Sequence, residues 1–193
     1  MIDIPKALIP VWYSRDETRK VCRPVEMDDV DQIEPLVWKM VRYCRDNDGV
    51  GLAAPQVGIY VRLAISLAIP GLVKVLINPS ITRFLGREIN AREGCLSIPP
   101  ATKNRVTVVR AETIHLECGT MEAPDSKVES VHSGDEARVI SHEIDHLNGT
   151  FIIDRCSFFE RKTMFTKFFR ETRIIHARVD QFIEDHKILS GVK

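Results

Sequence analysis

Apolar positions along this chain change their spacing several times, and each change predicts an element. Val30, Ile33, Val37, Met40, Val41 and Cys44 recur three or four residues apart, which predicts an amphipathic helix over residues 30–45. Asp28 or Asp29 is placed to cap it, and Pro35 is expected near its first turn or at its true start. Asn47-Asp48-Gly49 predicts its end. From residue 59 to 116 the pattern turns to short β-rich runs at residues 61–69, 73–77, 81–85, 106–109 and 113–116. Gly71, Asn78-Pro79, Gly86, Pro99-Pro100 and Gly119 punctuate them. Strands this closely spaced predict antiparallel or mixed sheets rather than βαβ units.

Helical spacing returns after Ser133. Ser133-Gly134-Asp135-Glu136 reads as an S-x-x-E capping box, and Asn148-Gly149 as a stop. The predicted helix, residues 134–148, carries Ala137, Ile140, Ile144 and Leu147 on one apolar stripe. Val139, His142, Glu143 and His146 form the neighbouring stripe. A third helical pattern over residues 158–189, with Phe165, Phe168, Phe169, Ile175, Val179 and Phe182, predicts a C-terminal helix. Residues 12–25 are polar and proline-containing and predict an extended stretch.

Length and composition narrow the class. A chain of 193 residues predicts one domain spanning 1–193, long enough to bury a core. Lys plus Arg and Asp plus Glu number 27 each, which gives no reason to expect nucleic acid or an anionic membrane as the main partner. The first residues, Met1-Ile2-Asp3-Ile4-Pro5-Lys6, predict no secretory signal. No run approaches the ~18 apolar residues of a membrane helix. The five cysteines (22, 44, 95, 118 and 156) are odd in number and scattered. That predicts reduced thiols in a cytoplasmic compartment, with all but Cys95 serving as small packing residues.

Three stretches carry chemistry. His142 and His146, four apart on one helix face, can bring two imidazole nitrogens to one metal ion, with Glu143 beside them, close enough to touch a metal-bound water without being a ligand. A catalytic metal needs a third protein ligand and an open position. A histidine at 152 would complete one known pattern, but Ile152 stands there. Glu160 and Glu171 fit a gluzincin-type metallopeptidase by spacing. The best third ligand is Cys95, next to Gly94, since a thiolate suits a borderline-soft divalent ion. The small-residue stretch Gly49-Val50-Gly51-Leu52-Ala53-Ala54-Pro55-Gln56 can approach a ligand closely, and the Gln56 amide and the Leu96 N–H are candidate donors to a developing oxyanion. Asp145 reads either as a residue orienting a histidine or as part of the polar face. His115 and His132 read as surface or loop histidines.

In order and spacing, G-V-G-L-A-A-P-Q, E-G-C-L-S and H-E-I-D-H resemble the three motifs of the peptide deformylases. The resemblance covers residues 12–155, apart from departures at residues 63–73 and 98–109. It implies an α+β fold: antiparallel or mixed β-sheets around a central metal-binding helix, with an N-terminal and a C-terminal helix. It implies a metal-dependent hydrolase that removes the formyl group from the formyl-methionine of new polypeptides and releases formate. Cys95, His142 and His146 would hold the metal, with Glu143, Gln56 and Leu96 catalytic and Val50, Gly51 and Val139 walling a methionine pocket. The implied cofactor is one divalent ion, Fe(II) in the cell, with Zn, Ni or Co as substitutes. The implied partners are N-formylated nascent peptides at the ribosome, with no direct nucleic-acid contact and no membrane. The alternatives are a related hydrolase acting on another acylated amine, and the gluzincin-type peptidase.

Overall fold

The structure, a computed structural model, describes Ile2, Ile4 and residues 19–98, 101, 103–164 and 166. It divides the chain into two compact units, Met1–Cys156 and Ser157–Lys193. In the first unit, a 3-10 turn at Met27–Asp29 leads into helix α1 (Val30–Asp46). Strands β1 (Gly51–Ala53), β2 (Leu63–Ser66), β3 (Lys74–Glu93), β4 (Val106–Gly119) and β5 (Val128–Ser133) follow, then helices α2 (Gly134–Leu147) and α3 (Ile152–Arg155). The strands form one sheet in sequence order, and every named pair is antiparallel. This is the α+β architecture expected from the sequence.

Alternation along the strands positions both helices. Leu52, Leu63, Ile65 and Ile77 point to one face and join Ile33, Leu36, Val37, Met40 and Cys44 of α1 in one core. Ala53, Ala64 and Leu76 point to the other face and join Ala137, Ile140, Ile144 and Leu147 of α2, with Ile114 and Leu116 of β4. Side chains of successive strand residues leave opposite faces, so a strand covered on both sides must be apolar throughout. β2 is buried at every residue and is apolar from Leu63 to Ile65, with Ser66 at its end. The alanines on the α2 side leave room for that helix to lie against the sheet.

Several expected boundaries shift, each for a physical reason. The runs at 73–77 and 81–85 are parts of one strand of 20 residues, and those at 106–109 and 113–116 are parts of another of 14. Asn78-Pro79 and Gly86 produce bulges, not turns: the β3–β4 register slips between Ile77 and Ser80 and between Leu85 and Glu88. Asn78 holds a positive φ of 47°. Its side chain takes up the Val25 N–H (2.8 Å) and donates to the carbonyls of Val25 (2.9 Å) and Pro124 (3.0 Å). Strands β1 and β5 were not expected at all. β1 is three residues long, and β5 exposes Val128 and Val131 as an edge strand.

The caps also differ from expectation. Pro35 is the sixth residue of α1, in its second turn; Pro35 and Asp31 are both exposed, so water can take the carbonyl its missing N–H leaves. Asp29 makes no cap bond into α1. It turns back to accept the Glu26 N–H (3.0 Å) and the Arg23 guanidinium (2.7 Å). The capping box at Ser133 does not form, because α2 is entered through Gly134 at φ 63°. Ser133 Oγ instead meets Thr113 Oγ1 (2.9 Å), and Glu136 pairs with Lys74 (2.6 Å) and His132 (2.9 Å). His132 is therefore a buried strand residue, 6% exposed, not a surface or loop histidine. His115, on β4, is half-buried. α2 ends at Asn148-Gly149 as expected, with Gly149 at φ 69°.

In the second unit, residues 158–164 and 166 are helical, and Ser157 Oγ caps them by accepting the Glu160 N–H (3.3 Å). Phe158 and Phe159 are exposed and meet edge to face. The remainder of the predicted C-terminal helix, with Phe165, Phe168, Phe169, Glu171, Ile175, Val179 and Phe182, lies outside the described residues, as do residues 12–18 of the predicted extended stretch. Among the described residues, no helix is long and apolar enough to cross a membrane.

Candidate active site

Three pieces of the fold meet beside α2. The end of β3 delivers Glu93 and, in the turn after it, Cys95, Leu96 and Ser97. β1 and the 3-10 turn Ala54–Val57 deliver Gly51 and Gln56. The helix itself supplies Val139, His142, Glu143 and His146, all buried. A cleft of about 170 Å³ opens among them, walled in part by Val50, Gly51, Leu96, Val139, His142 and Glu143. Val50 stands at its rim, 54% exposed.

Cys95 Sγ lies 3.2 Å from His146 Nε2, and the Nε2 atoms of His146 and His142 lie 3.3 Å apart. The three donor atoms all fall within 4.8 Å of one another. A tetrahedral zinc-type site with M–N and M–S distances of ~2.05 and ~2.3 Å places its ligand atoms ~3.3 to ~3.6 Å apart. One thiolate and two imidazoles at this spacing therefore fit a divalent ion, and a thiolate with nitrogen donors suits iron, zinc, nickel or cobalt. Of the third ligands left open by spacing, the structure brings Cys95 to the two histidines.

The histidine next to Glu93 is fixed in its tautomer. His142 Nδ1–H donates to Glu93 Oε2 (2.9 Å), which leaves Nε2 to face His146. Burial works against a charge on His142, but the bonds to Cys95 and Glu93 outweigh it and raise its pKa to about 10. His146 moves the other way, well below its ordinary value, through burial and the charges of His142 and Arg110. Burial alone would push Glu93 up, yet the bonds from His142 and Arg110 hold it at about 2. The Arg110 guanidinium donates to both Glu93 oxygens (2.9 Å each) and to Asp145 Oδ2 (2.6 Å), and Arg155 Nη2 donates to Asp145 Oδ1 (2.6 Å). Asp145 is thus buried and does not touch a histidine. It anchors the arginine that anchors Glu93.

Glu143 is the other poised group. Burial, chiefly, pushes its pKa up to about 7, and its Oε2 has no hydrogen-bond partner among the described residues. Gly51 is required beside it: a Cβ at that position would collide with Glu143 Oε1 and lie 2.8 Å from Val139 Cγ1. Gln56 is held from both ends. Its Oε1 accepts the Ala53 N–H (2.8 Å), and its Nε2 faces Cys95 Sγ and Ser97 Oγ at 3.4 Å each. The amide donor thus points toward the sulfur. Leu96 follows that sulfur in a turn closed by the Ile98 N–H to the Cys95 carbonyl (2.9 Å).

Sequence reasoning gave no role to Glu93, Ser97, Arg110 or Arg155. Arg110 carried a readable signal: it shares the inward-facing positions of β4 with Val106, Val108, Ile114 and Leu116. A charged residue among such neighbours demands a buried partner.

A model of the polypeptide deformylase family matches residues 11–162. The chain belongs to the peptide deformylase family. It is 40% identical over 143 residues to a peptide deformylase of Clostridium botulinum (strain Alaska E43 / Type E3), a match covering 74% of this chain and 92% of that one. Its fold is similar to the peptide deformylase of Plasmodium falciparum, with a TM-score of 0.78 at 28% identity over 88% of this chain and 98% of that one. It is also similar to a class I type b peptide deformylase from Acinetobacter baumannii, solved with Met-Ala-Ser bound, with a TM-score of 0.69 at 31% identity over 77% and 98% of the two chains. As a deformylase, the chain is a metal-dependent hydrolase that removes the formyl group from the N-terminal formyl-methionine of polypeptides.

Proposed function

We propose that Cys95, His142 and His146 hold the metal ion of this deformylase, that Glu143 is its general base and acid, and that Gln56 and Leu96 stabilise the oxyanion. The convergence of one sulfur and two Nε2 atoms beside a buried carboxylate carries this reading. Bound there, a divalent ion supplies Lewis acidity and makes water acidic enough to attack at neutral pH. Glu143, with a pKa near the working pH, takes the proton from the attacking water as the new C–O bond forms at the formyl carbon. The Gln56 amide, pointed at the site by its bond from Ala53, and the Leu96 N–H face the charge that develops on the formyl oxygen. As the C–N bond breaks, Glu143 returns its proton to the leaving amine, and formate departs. Val50, Gly51 and Val139 wall the pocket for the methionine side chain.

The finer assignments follow from donor type and family. Fe(II) is the cellular ion, the compartment is the cytoplasm, and the substrate is met as the nascent chain leaves the ribosome. The Met-Ala-Ser seen in the Acinetobacter baumannii relative is the product expected from formyl-Met-Ala-Ser. The deciding experiment is formate release from that peptide by enzyme loaded with ferrous iron without air. Stoichiometric formate supports the reading. A metal-free protein that is fully active, or a ferrous enzyme that cleaves formylated small amines but not the peptide, overturns it.

A further inference from the structure

The mouth of the cleft continues into a second, open hollow. Ala91, Arg92, Lys103, Arg105, Asp135 and Arg138 line that hollow, and Arg105 and Arg138 line the cleft as well. Four cations and one carboxylate thus border the exit of the site, in a chain whose charges balance overall. The carboxylate, Asp135, is already paired with Arg138 (2.9 Å). Arg92 and Arg105 brace each other where β3 and β4 meet: Arg105 Nη2 donates to the Arg92 carbonyl (2.6 Å) and Arg92 Nη2 to the Arg105 carbonyl (3.3 Å). Each bond uses one Nη2 of a guanidinium head, and both arginines are exposed. Among the described residues, Arg92, Lys103 and Arg105 have no carboxylate within ion-pair distance. On the cleft wall formed after α1, Asp48 is the acidic counterpart.

Resting on the proposed function, we infer that this basic rim is a specificity element: it favours N-formylated chains that carry acidic side chains in the residues just after formyl-methionine. With the formyl group at the metal ligands, the rest of the peptide must leave by the mouth. An extended chain advances ~3.3 Å per residue with alternating side chains, so its second to fourth residues pass the rim. Guanidinium groups have five N–H donors, so those with one Nη2 tied to a carbonyl keep spare donors that match carboxylates in geometry as well as charge. Exposed pairs are individually weak and salt-sensitive. The summed effect expected is about fivefold to tenfold in kcat/KM at low ionic strength, carried by KM and shrinking as salt rises.

The test compares amidated formyl-Met-Ala-Asp-Glu, formyl-Met-Ala-Ser-Ser and formyl-Met-Ala-Lys-Lys on the metal-loaded enzyme at low and high salt, with the variants K103A/R105A and K103E/R105E. The expected order is acidic over neutral over basic, a reduced ratio in K103A/R105A, which keeps Arg92 and Arg138, and an inverted order in K103E/R105E. Inversion requires a folded, active enzyme, so general damage cannot produce it. Equal rates for the three peptides, or a preference unchanged in both variants, overturn the inference. So does a flat peptide profile accompanied by rim-dependent binding of a fluorescent oligouridylate, which would make the rim an RNA surface. If the neutral peptide itself releases no formate, the proposed function fails, and that failure is distinct from the failure of this inference.

Discussion

Glu93 Oε2 sits 2.9 Å from His142 Nδ1, with Arg110 clamping the same carboxylate from the far side. This contact turns the His142 ring so that Nε2 faces Cys95 and His146. A carboxylate behind a ligating imidazole fixes its tautomer and raises its basicity, and loss of such a partner costs ~10- to ~100-fold in metal affinity. Glu93→Gln is therefore expected to lose metal to a chelator ten to a hundred times more readily than the parent, as read by competition titration. An unchanged metal affinity would show that His142 is oriented by the helix alone.

Glu143 shares the helix face with the two histidines but keeps one oxygen without a hydrogen-bond partner among the described residues. Glu143→Gln should retain one equivalent of metal while formate release falls by ~10²- to ~10⁴-fold, the range for removing a general acid–base. Elemental analysis and initial rates separate the two effects. Near-normal turnover in that variant would remove Glu143 from the mechanism.

Gln56 Nε2 points at Cys95 Sγ because Ala53 holds the other end of the amide. Replacing it with Leu removes the donor at similar size, and a loss of ~10²- to ~10³-fold in kcat is expected if it serves the oxyanion. An effect confined to KM would place Gln56 in ground-state binding instead.

The grouping of Cys95, His142 and His146 was legible because its signals are local and chemical. His142 and His146 are one helical turn apart in any helix, and Cys95 is the thiol that lies within an E-G-C-L-S stretch. The site's supports were less legible because they are long-range. Arg110 joins β4 to both β3 and α2, and no short motif encodes such a junction. In the fold, apolar spacing found α1 and α2 within a residue or two at each end, since both bury a continuous stripe. It broke β3 because Asn78-Pro79 and Gly86 are sequence terminators that a long antiparallel pair absorbs as bulges, and it broke β4 where Arg110-Ala111-Glu112 interrupts the β-rich pattern. The S-x-x-E pattern misled at Ser133, where Gly134 enters the helix with positive φ and Thr113 competes for the hydroxyl. The same pattern at Ser157 does give a cap.

At Gly51 the backbone passes so close to Glu143 that there is no room for a Cβ. A methyl group there would collide with Glu143 Oε1, so that carboxylate would have to shift. Gly51→Ala should displace Glu143 and cut kcat by ~10²-fold or more, as ångström-scale misplacement of a catalytic group does, with metal content retained. A Gly51→Ala enzyme with parental kcat would mean that Glu143 has freedom the geometry does not suggest.

Asp29, 1% exposed, ties the start of α1 to the chain before it. The Arg23 guanidinium, above all, holds its pKa at about 2, against the opposing effect of burial and with help from the Glu26 N–H. An unfolded aspartate titrates near ~3.9. The folded value is the lower one, so the stabilisation is fully present above ~4 and is lost as pH falls through that value toward about 2. Asp29→Asn should accordingly lower the melting temperature at pH 7, and the gap from the parent should close between pH ~4 and ~2. Melting curves of the two proteins across that range test it. A gap that stays constant down to pH 2 would mean that Asp29 acts by shape and neutral hydrogen bonding, with its charge playing no part.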